Sequence, residues 1–243
     1  MEISAPGLAG VIKAFRRPEP QPQADCRTLK DHVRPCEFDG QRALIIGGSR
    51  GLGEVAAKLL AMGGAAVKIT YCQGKEDAGR IVADITANGG EAEAFRFDAL
   101  RPETDSAARD WAPTHLYYFA TPYIVPGIKG AFSPALFARF CGFYVGGFAD
   151  AVRAFRSAEL KRIFYPSTVM IDELPANLGE YAAAKSAGET LCAFLEKTGG
   201  LKVHKPRLPR LSTDQTSSIM PRGRQDPVPL LLGELRACRD LPD

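Results

Sequence analysis

The chain is poor in the residues that build metal centres. It holds three histidines, and its six cysteines (Cys26, Cys36, Cys72, Cys141, Cys192 and Cys238) are scattered without a C-x-x-C pair. A zinc site therefore lacks its usual spacing, and cytosolic thiols are the plain reading of the cysteines. Charge of one sign is equally scarce. Thirty-one Lys and Arg against 28 Asp and Glu leave a net charge of +3, which excludes a chain built to coat nucleic acid. A hydrophobic content of 45% argues against disorder. Glu2 and the pair Arg16-Arg17 leave no room for a secretory signal, and no stretch approaches the roughly 20 apolar residues of a spanning helix. The expectation is a cytoplasmic protein with neither a membrane nor a nucleic-acid partner.

Residues 1–39 read as a proline-rich arm or linker. Arg17-Pro-Glu-Pro-Gln-Pro-Gln places proline at alternate positions, which fixes φ and removes donors. From Arg42 the pattern becomes regular, and residues 40–243 read as one domain. Ala43-Leu-Ile-Ile is a short apolar run entering a glycine-rich turn, and 54–62 is helical. Ala66–Tyr71 is a strand, 75–88 a helix, and Glu93–Asp98 an alternating strand. Strand, helix, strand, helix, strand is the mononucleotide-binding unit. Strands are then expected at 115–120, 162–165 and 202–204. Helices are expected at 133–157, 179–197 and 228–238. The fold class is α/β: a Rossmann-type, doubly wound parallel sheet in three layers.

Two motifs carry chemistry. Gly47-Gly-Ser-Arg-Gly-Leu-Gly53 follows the first strand and opens a helix. Glycine serves where the chain turns with φ > 0 and where backbone must touch a pyrophosphate, and the helix start offers free N–H groups to that anion. Tyr181-Ala-Ala-Ala-Lys185 places a phenol and an ammonium on one helix face. Each motif also has a plain reading, as an ordinary strand–helix turn and as a surface pair.

The G-x-x-x-G-x-G spacing followed by Tyr-x-x-x-Lys resembles the short-chain dehydrogenase/reductase family over roughly residues 42–214. The resemblance implies a hydride-transfer enzyme. Tyr181 would give a proton to a carbonyl oxygen, and Lys185 would bind the nicotinamide ribose and hold down the tyrosine pKa. A third hydroxyl would polarise the carbonyl. The family spacing falls on Thr168, while Ser167 is the residue type the family favours, and we lean to Ser167. Gly47, Ser49, Arg50, Gly51, Leu52 and Gly53 would line the cofactor, together with Tyr71, Lys75, Ala120 and Thr121 and the pair Tyr181 and Lys185. Asp98 would contact adenine or else cap a helix. Tyr71-Cys72-Gln73 ends the second strand without the carboxylate that marks NAD enzymes. Arg50 and Lys75 stand ready for a 2′-phosphate, so the expected cofactor is NADP(H).

Three departures from the family pattern stand out. Phe119-Ala-Thr-Pro-Tyr123 replaces Asn-Asn-Ala-Gly. The relay asparagine of the long fourth helix is missing from Phe143–Phe148, where Tyr144 is a candidate substitute. The last strand and its Asp-Gly-Gly are not recognisable. The reading is an NADPH-dependent ketoreductase acting on a small-molecule carbonyl or alcohol, with a homo-oligomer as an expected assembly. The alternative is a non-catalytic NADP-binding module. A sugar-nucleotide epimerase shares Tyr-x-x-x-Lys but has a glycine spacing absent here.

Overall fold

A computed structural model describes residues 23–102, 106–211 and 226–242. The alternating prolines of the arm and residues 212–225 lie outside these residues. The core is a six-stranded parallel sheet. Its strands are β1 (Arg42–Ile46), β2 (Ala66–Tyr71), β3 (Glu91–Arg96), β4 (His115–Tyr118), β5 (Arg162–Phe164) and β7 (Lys202–His204), which falls in chain order between the two strands of a small separate pair. The order is β3-β2-β1-β4-β5-β7, so the chain winds outward one way from β1 and then the other way from β4. The small second sheet pairs β6 (Ser167–Thr168) with β8 (Arg207–Leu208).

The alternation of β1 explains the three layers. Ala43 and Ile45 face one apolar cluster, and Leu44 and Ile46 face the other. The first cluster is covered by α1 (Cys26–Leu29), α2 (Gly51–Met62), α3 (Lys75–Ala87) and the last helix, α9 (Pro227–Arg239). The second takes side chains from α4 (Ser106–Asp110), α6 (Phe148–Ala154) and α8 (Gly179–Gly199). Helix α5 (Pro134–Cys141) packs with α8 around a satellite cluster, and α7 (Met170–Glu173) closes a second one. Helix α8 stops at Gly200, which turns left-handed at φ +61°.

Three differences from the sequence reading have physical causes. Residues 23–39 are not an arm: Cys26, Leu29, Val33 and Phe38 are buried in the first cluster, because α1 lies on α2. Strand β3 runs two residues earlier than its alternation suggested, since Ala66 of β2 already pairs with Glu91. A shift of two keeps the same side chains on the same face. The helix expected at 133–157 is three pieces, α5, a wider i→i+5 turn over Gly142–Gly147, and α6. Taken together, Pro134–Ala154 is long and apolar enough to cross a membrane by length and composition alone, with a mean hydropathy of 1.3. Its apolar side chains Phe140, Tyr144, Phe148 and Val152 are buried against the protein's own core.

Candidate active site

The glycine loop joins β1 to α2 at the carboxyl edge of the sheet, beside the β1–β4 crevice where the winding reverses. Gly47 turns at φ +80°, and a Cβ there would stand 2.7 Å from the Ala120 nitrogen, so the backbones after β1 and β4 touch. A Cβ on Gly53 would stand 2.3 Å from the Gly47 carbonyl oxygen. Thr70 of β2 pins the loop, accepting from Gly47 N through its hydroxyl at 3.0 Å and from Gly48 N through its carbonyl at 3.1 Å. Arg50 is the N-cap of α2 but provides no side-chain cap, so the side chain stays away from the first amides of the helix. This is the arrangement an anion needs at a helix N-terminus. Leu52 and Tyr71 pack half-buried against the first core cluster.

Beyond the end of β2 the side chains of Ser49 and Arg50 converge over Gly74. From the point a Cβ of Gly74 would occupy, Ser49 Oγ is 3.4 Å away, Arg50 Nη2 3.6 Å and Asp77 Oδ2 3.3 Å. Lys75 is exposed at the start of α3. The bare glycine backbone, an uncapped helix start and an arginine fork over an open cradle fit the pyrophosphate and 2′-phosphate of a dinucleotide. Asp98 accepts from Leu100 N at 3.0 Å, which makes it the cap of a turn.

The second half of the site lies beyond β5. Strand β6 sets Ser167 and Thr168 side by side with their side chains on opposite faces. Ser167 Oγ donates to Glu189 Oε1 at 2.5 Å. That carboxylate is also gripped by Arg207, whose Nε and Nη2 stand 2.9 and 2.7 Å from its two oxygens. The serine favoured from sequence is thus tied into a bridge between α8 and β8. Thr168 is buried and accepts from Met170 N at 3.3 Å, and its hydroxyl works against the effect of burial on the Tyr181 phenol. Sequence reasoning had no means of choosing between neighbours, because the choice depends on which face of a two-residue strand meets α8.

Tyr181 packs edge-on against Phe140 and Tyr144, at ring separations of 5.7 and 5.6 Å. Burial pushes its phenol up to about 12, offset only in part by the Thr168 hydroxyl. The expected lowering by Lys185 is not what this geometry gives. Lys185 Nζ donates to the Pro166 carbonyl at 2.6 Å and lies 4.1 Å from the centre of the Tyr144 ring and 4.9 Å from that of Tyr165. Burial in this cage brings its amine down to about 7. Tyr144, in the stretch lacking the asparagine, fills the wall beside Lys185 with its ring, and its hydroxyl is 2.5 Å from Thr121 Oγ1. The wide turn is held by two neighbouring strands: Tyr118 donates to Phe143 O at 2.7 Å and Tyr165 to Tyr144 O at 3.0 Å. Sequence reasoning also missed Glu180, a buried carboxylate that accepts from Ser133 N at 2.6 Å and ties the loop after β4 to the start of α8.

The chain matches no family model. Among curated proteins it is 37% identical over 81 residues to a short chain dehydrogenase/reductase of Aspergillus novofumigatus, covering 33% of this chain and 31% of that one. It is 34% identical over 81 residues to a versicolorin reductase of Emericella nidulans, again covering 33% and 31%. Over these stretches the chain is similar to short-chain dehydrogenase/reductases. The matched stretches span about a third of those relatives' length. Solved structures of the family carry the same fold over most of the chain. A short-chain dehydrogenase of Burkholderia cenocepacia, in complex with NADP, superposes with a TM-score of 0.70 at 24% identity, covering 84% of this chain and 94% of that one. A short-chain dehydrogenase/reductase of Serratia marcescens gives 0.68 at 21% identity, covering 83% and 91%.

Proposed function

We propose that the chain is an NADP(H)-dependent reductase that converts a small-molecule ketone to an alcohol. The observation that carries this reading is the placing of Tyr181 and Lys185 against the Tyr144 ring, whose hydroxyl reaches Thr121, next to the Ala120 backbone that touches Gly47 of the glycine loop. The similar Burkholderia structure is a complex with NADP, and several similar proteins are named reductases. The loop amides and the Ser49–Arg50 cradle would hold the dinucleotide, with Ala120 and Thr121 passing alongside it. A bound nicotinamide supplies hydride to the carbonyl carbon. Thr168 donates a hydrogen bond to the carbonyl oxygen, and Tyr181 transfers its proton there. A phenol raised to about 12 is fully protonated at neutral pH, the state an acid needs. Thr168 replaces Ser167 in this assignment because the serine is committed to Glu189. A cytoplasmic location and a homo-oligomer, paired through α5 and α8 as is usual in the family, belong to the same reading.

The test is direct. NADPH should bind at least about tenfold more tightly than NADH in a fluorescence titration, because a 2′-phosphate gains a charge-assisted contact. NADPH should also be oxidised in the presence of members of a diketone panel. Equal affinities would remove the cofactor assignment. A second reading, a non-catalytic NADP-binding module, is favoured by one observation: Tyr144 seals Lys185 onto the Pro166 carbonyl where the family keeps a relay. Tight NADPH binding without turnover on any carbonyl would establish it.

A further inference from the structure

The carboxylate of Asp77 presents a conflict. It belongs to the first turn of α3, beside the cradle that would receive a 2′-phosphate, where a negative charge should repel the ligand. Its contacts suggest a different role. Asp77 Oδ2 holds Arg50 at Nε, 3.2 Å away, and Nη2 of the same guanidinium stands over Gly74 beside Ser49 Oγ. The carboxylate is itself shared: Arg80 Nη2 lies 3.9 Å from Asp77 Oδ1, and Arg80 Nη1 lies 3.1 Å from Glu54 Oε1. The buried Glu54 pairs with the buried Lys58 at 3.0 Å. Lys58 Nζ lies 2.9 Å from Asp84 Oδ2 and donates to the Ala24 carbonyl at 3.0 Å. Arg50 is therefore the outermost member of a chain of alternating charges anchored under the N-terminal segment.

We propose that Asp77 sets the specificity of this site for a 2′-phosphorylated nucleotide, by holding the Arg50 guanidinium with its fork over the Gly74–Ser49 cradle. The inference rests on the cofactor reading above. A free arginine side chain loses rotamer entropy when it is ordered, and a fork already held through Nε loses less on binding. Asp77 is a positioning residue, acting through Arg50. Two simple ideas predict opposite signs. If the carboxylate merely repels, its removal tightens binding; if it positions Arg50, its removal weakens binding.

The experiment is calorimetric titration of the full chain with adenosine 2′,5′-bisphosphate and with adenosine 5′-monophosphate. Wild type is compared with Asp77→Ala, Asp77→Asn, Arg50→Ala and the Asp77→Ala/Arg50→Ala double variant. Positioning predicts that Asp77→Ala weakens the bisphosphate by about five- to tenfold and leaves the monophosphate unchanged. Asp77→Asn, whose side-chain oxygen still accepts from Nε, should retain wild-type affinity within about threefold. The double variant should bind no more weakly than Arg50→Ala alone, since the effect of Asp77 passes through Arg50. Unchanged or tighter bisphosphate binding by Asp77→Ala overturns the proposal, as does equal weakening of both ligands. Those outcomes leave the cofactor reading standing if wild type still prefers the bisphosphate. A wild type without that preference overturns both.

Discussion

Around the glycine loop, what the protein offers a ligand is backbone: amides at the start of α2, bare Cα positions at Gly47, Gly53 and Gly74, and one arginine fork. Around Tyr181 it offers side-chain hydroxyls set among the rings of Phe140, Tyr144 and Tyr165. The first region leans on few neighbouring side chains, Thr70 and Asp77 among them, so a departure elsewhere disturbs it less. The second is a set of mutual contacts in which one exchanged residue alters all the others. Tyr144 in the asparagine-free stretch shows this: it walls in Lys185, meets the edge of Tyr181 and engages Thr121. The glycine-loop region therefore keeps the pattern of the proteins it resembles, while the region around Tyr181 departs from it.

The comparison is broken most severely at Tyr181. Tyr181→Phe keeps the ring and its packing, so NADPH affinity should stay within about twofold while turnover falls by roughly 10²–10⁴, the usual worth of a general acid. Full activity in that variant on a ketone the wild type reduces would end the proposed mechanism. The next contrast lies between neighbours. Thr168→Val should cut kcat by about tenfold or more, the worth of one hydrogen bond to developing charge. Ser167→Ala should leave kcat nearly unchanged and lower the melting temperature instead, since it breaks the bridge to Glu189. The reverse result in steady-state kinetics would return the role to Ser167.

Gly188→Ala probes how tightly the catalytic half is packed. A Cβ there would stand 1.9 Å from Tyr165 Oη, so the substitution should cost about 1–3 kcal/mol in urea unfolding. Stability unchanged by it would mean that the contact of α8 with β5 is looser than described. The smallest effect concerns Lys185. Its folded pKa of about 7 lies below the ordinary 10.5, so below pH 7 the amine is charged in both folded and unfolded states. Above pH 7 the unfolded chain binds the extra proton, and stability rises with pH by at most about 1.4 kcal/mol per unit. Lys185→Met should remove that slope between pH 7 and 8.5. Parallel pH curves for the two proteins would show that Lys185 is not held neutral.

Much of the fold was legible because its signals are local. The apolar run Ala43–Ile46, the glycines that follow it, and the alternation in Ala66–Tyr71 each depend on residues adjacent in sequence. Helix α9 was found almost to its ends, since Asp226 and Pro227 form an ordinary start. Glu93–Asp98 was placed two residues late because alternation gives the phase of a strand and not its length. The site was legible where chemistry is carried by spacing, as in Tyr181 and Lys185 on one helix face. It was not legible where contacts join distant segments, as between Ser167 and Glu189, Arg50 and Asp77, or Lys185 and Pro166.

The sequence by itself determined the main alternation of strands and helices, the glycine turn after β1, and the phenol–amine pair on one helix face, because hydrophobic period and backbone freedom are properties of short segments. Tertiary structure decided that Ser167 is tied to Glu189, what occupies the place of the absent asparagine, and where the Lys185 amine rests. It also decided that residues 23–39 belong to the core. Those outcomes follow from which faces meet when β5, β6, the wide turn at Gly142–Gly147 and α8 close together, and burial there sets the proton affinities of Tyr181 and Lys185.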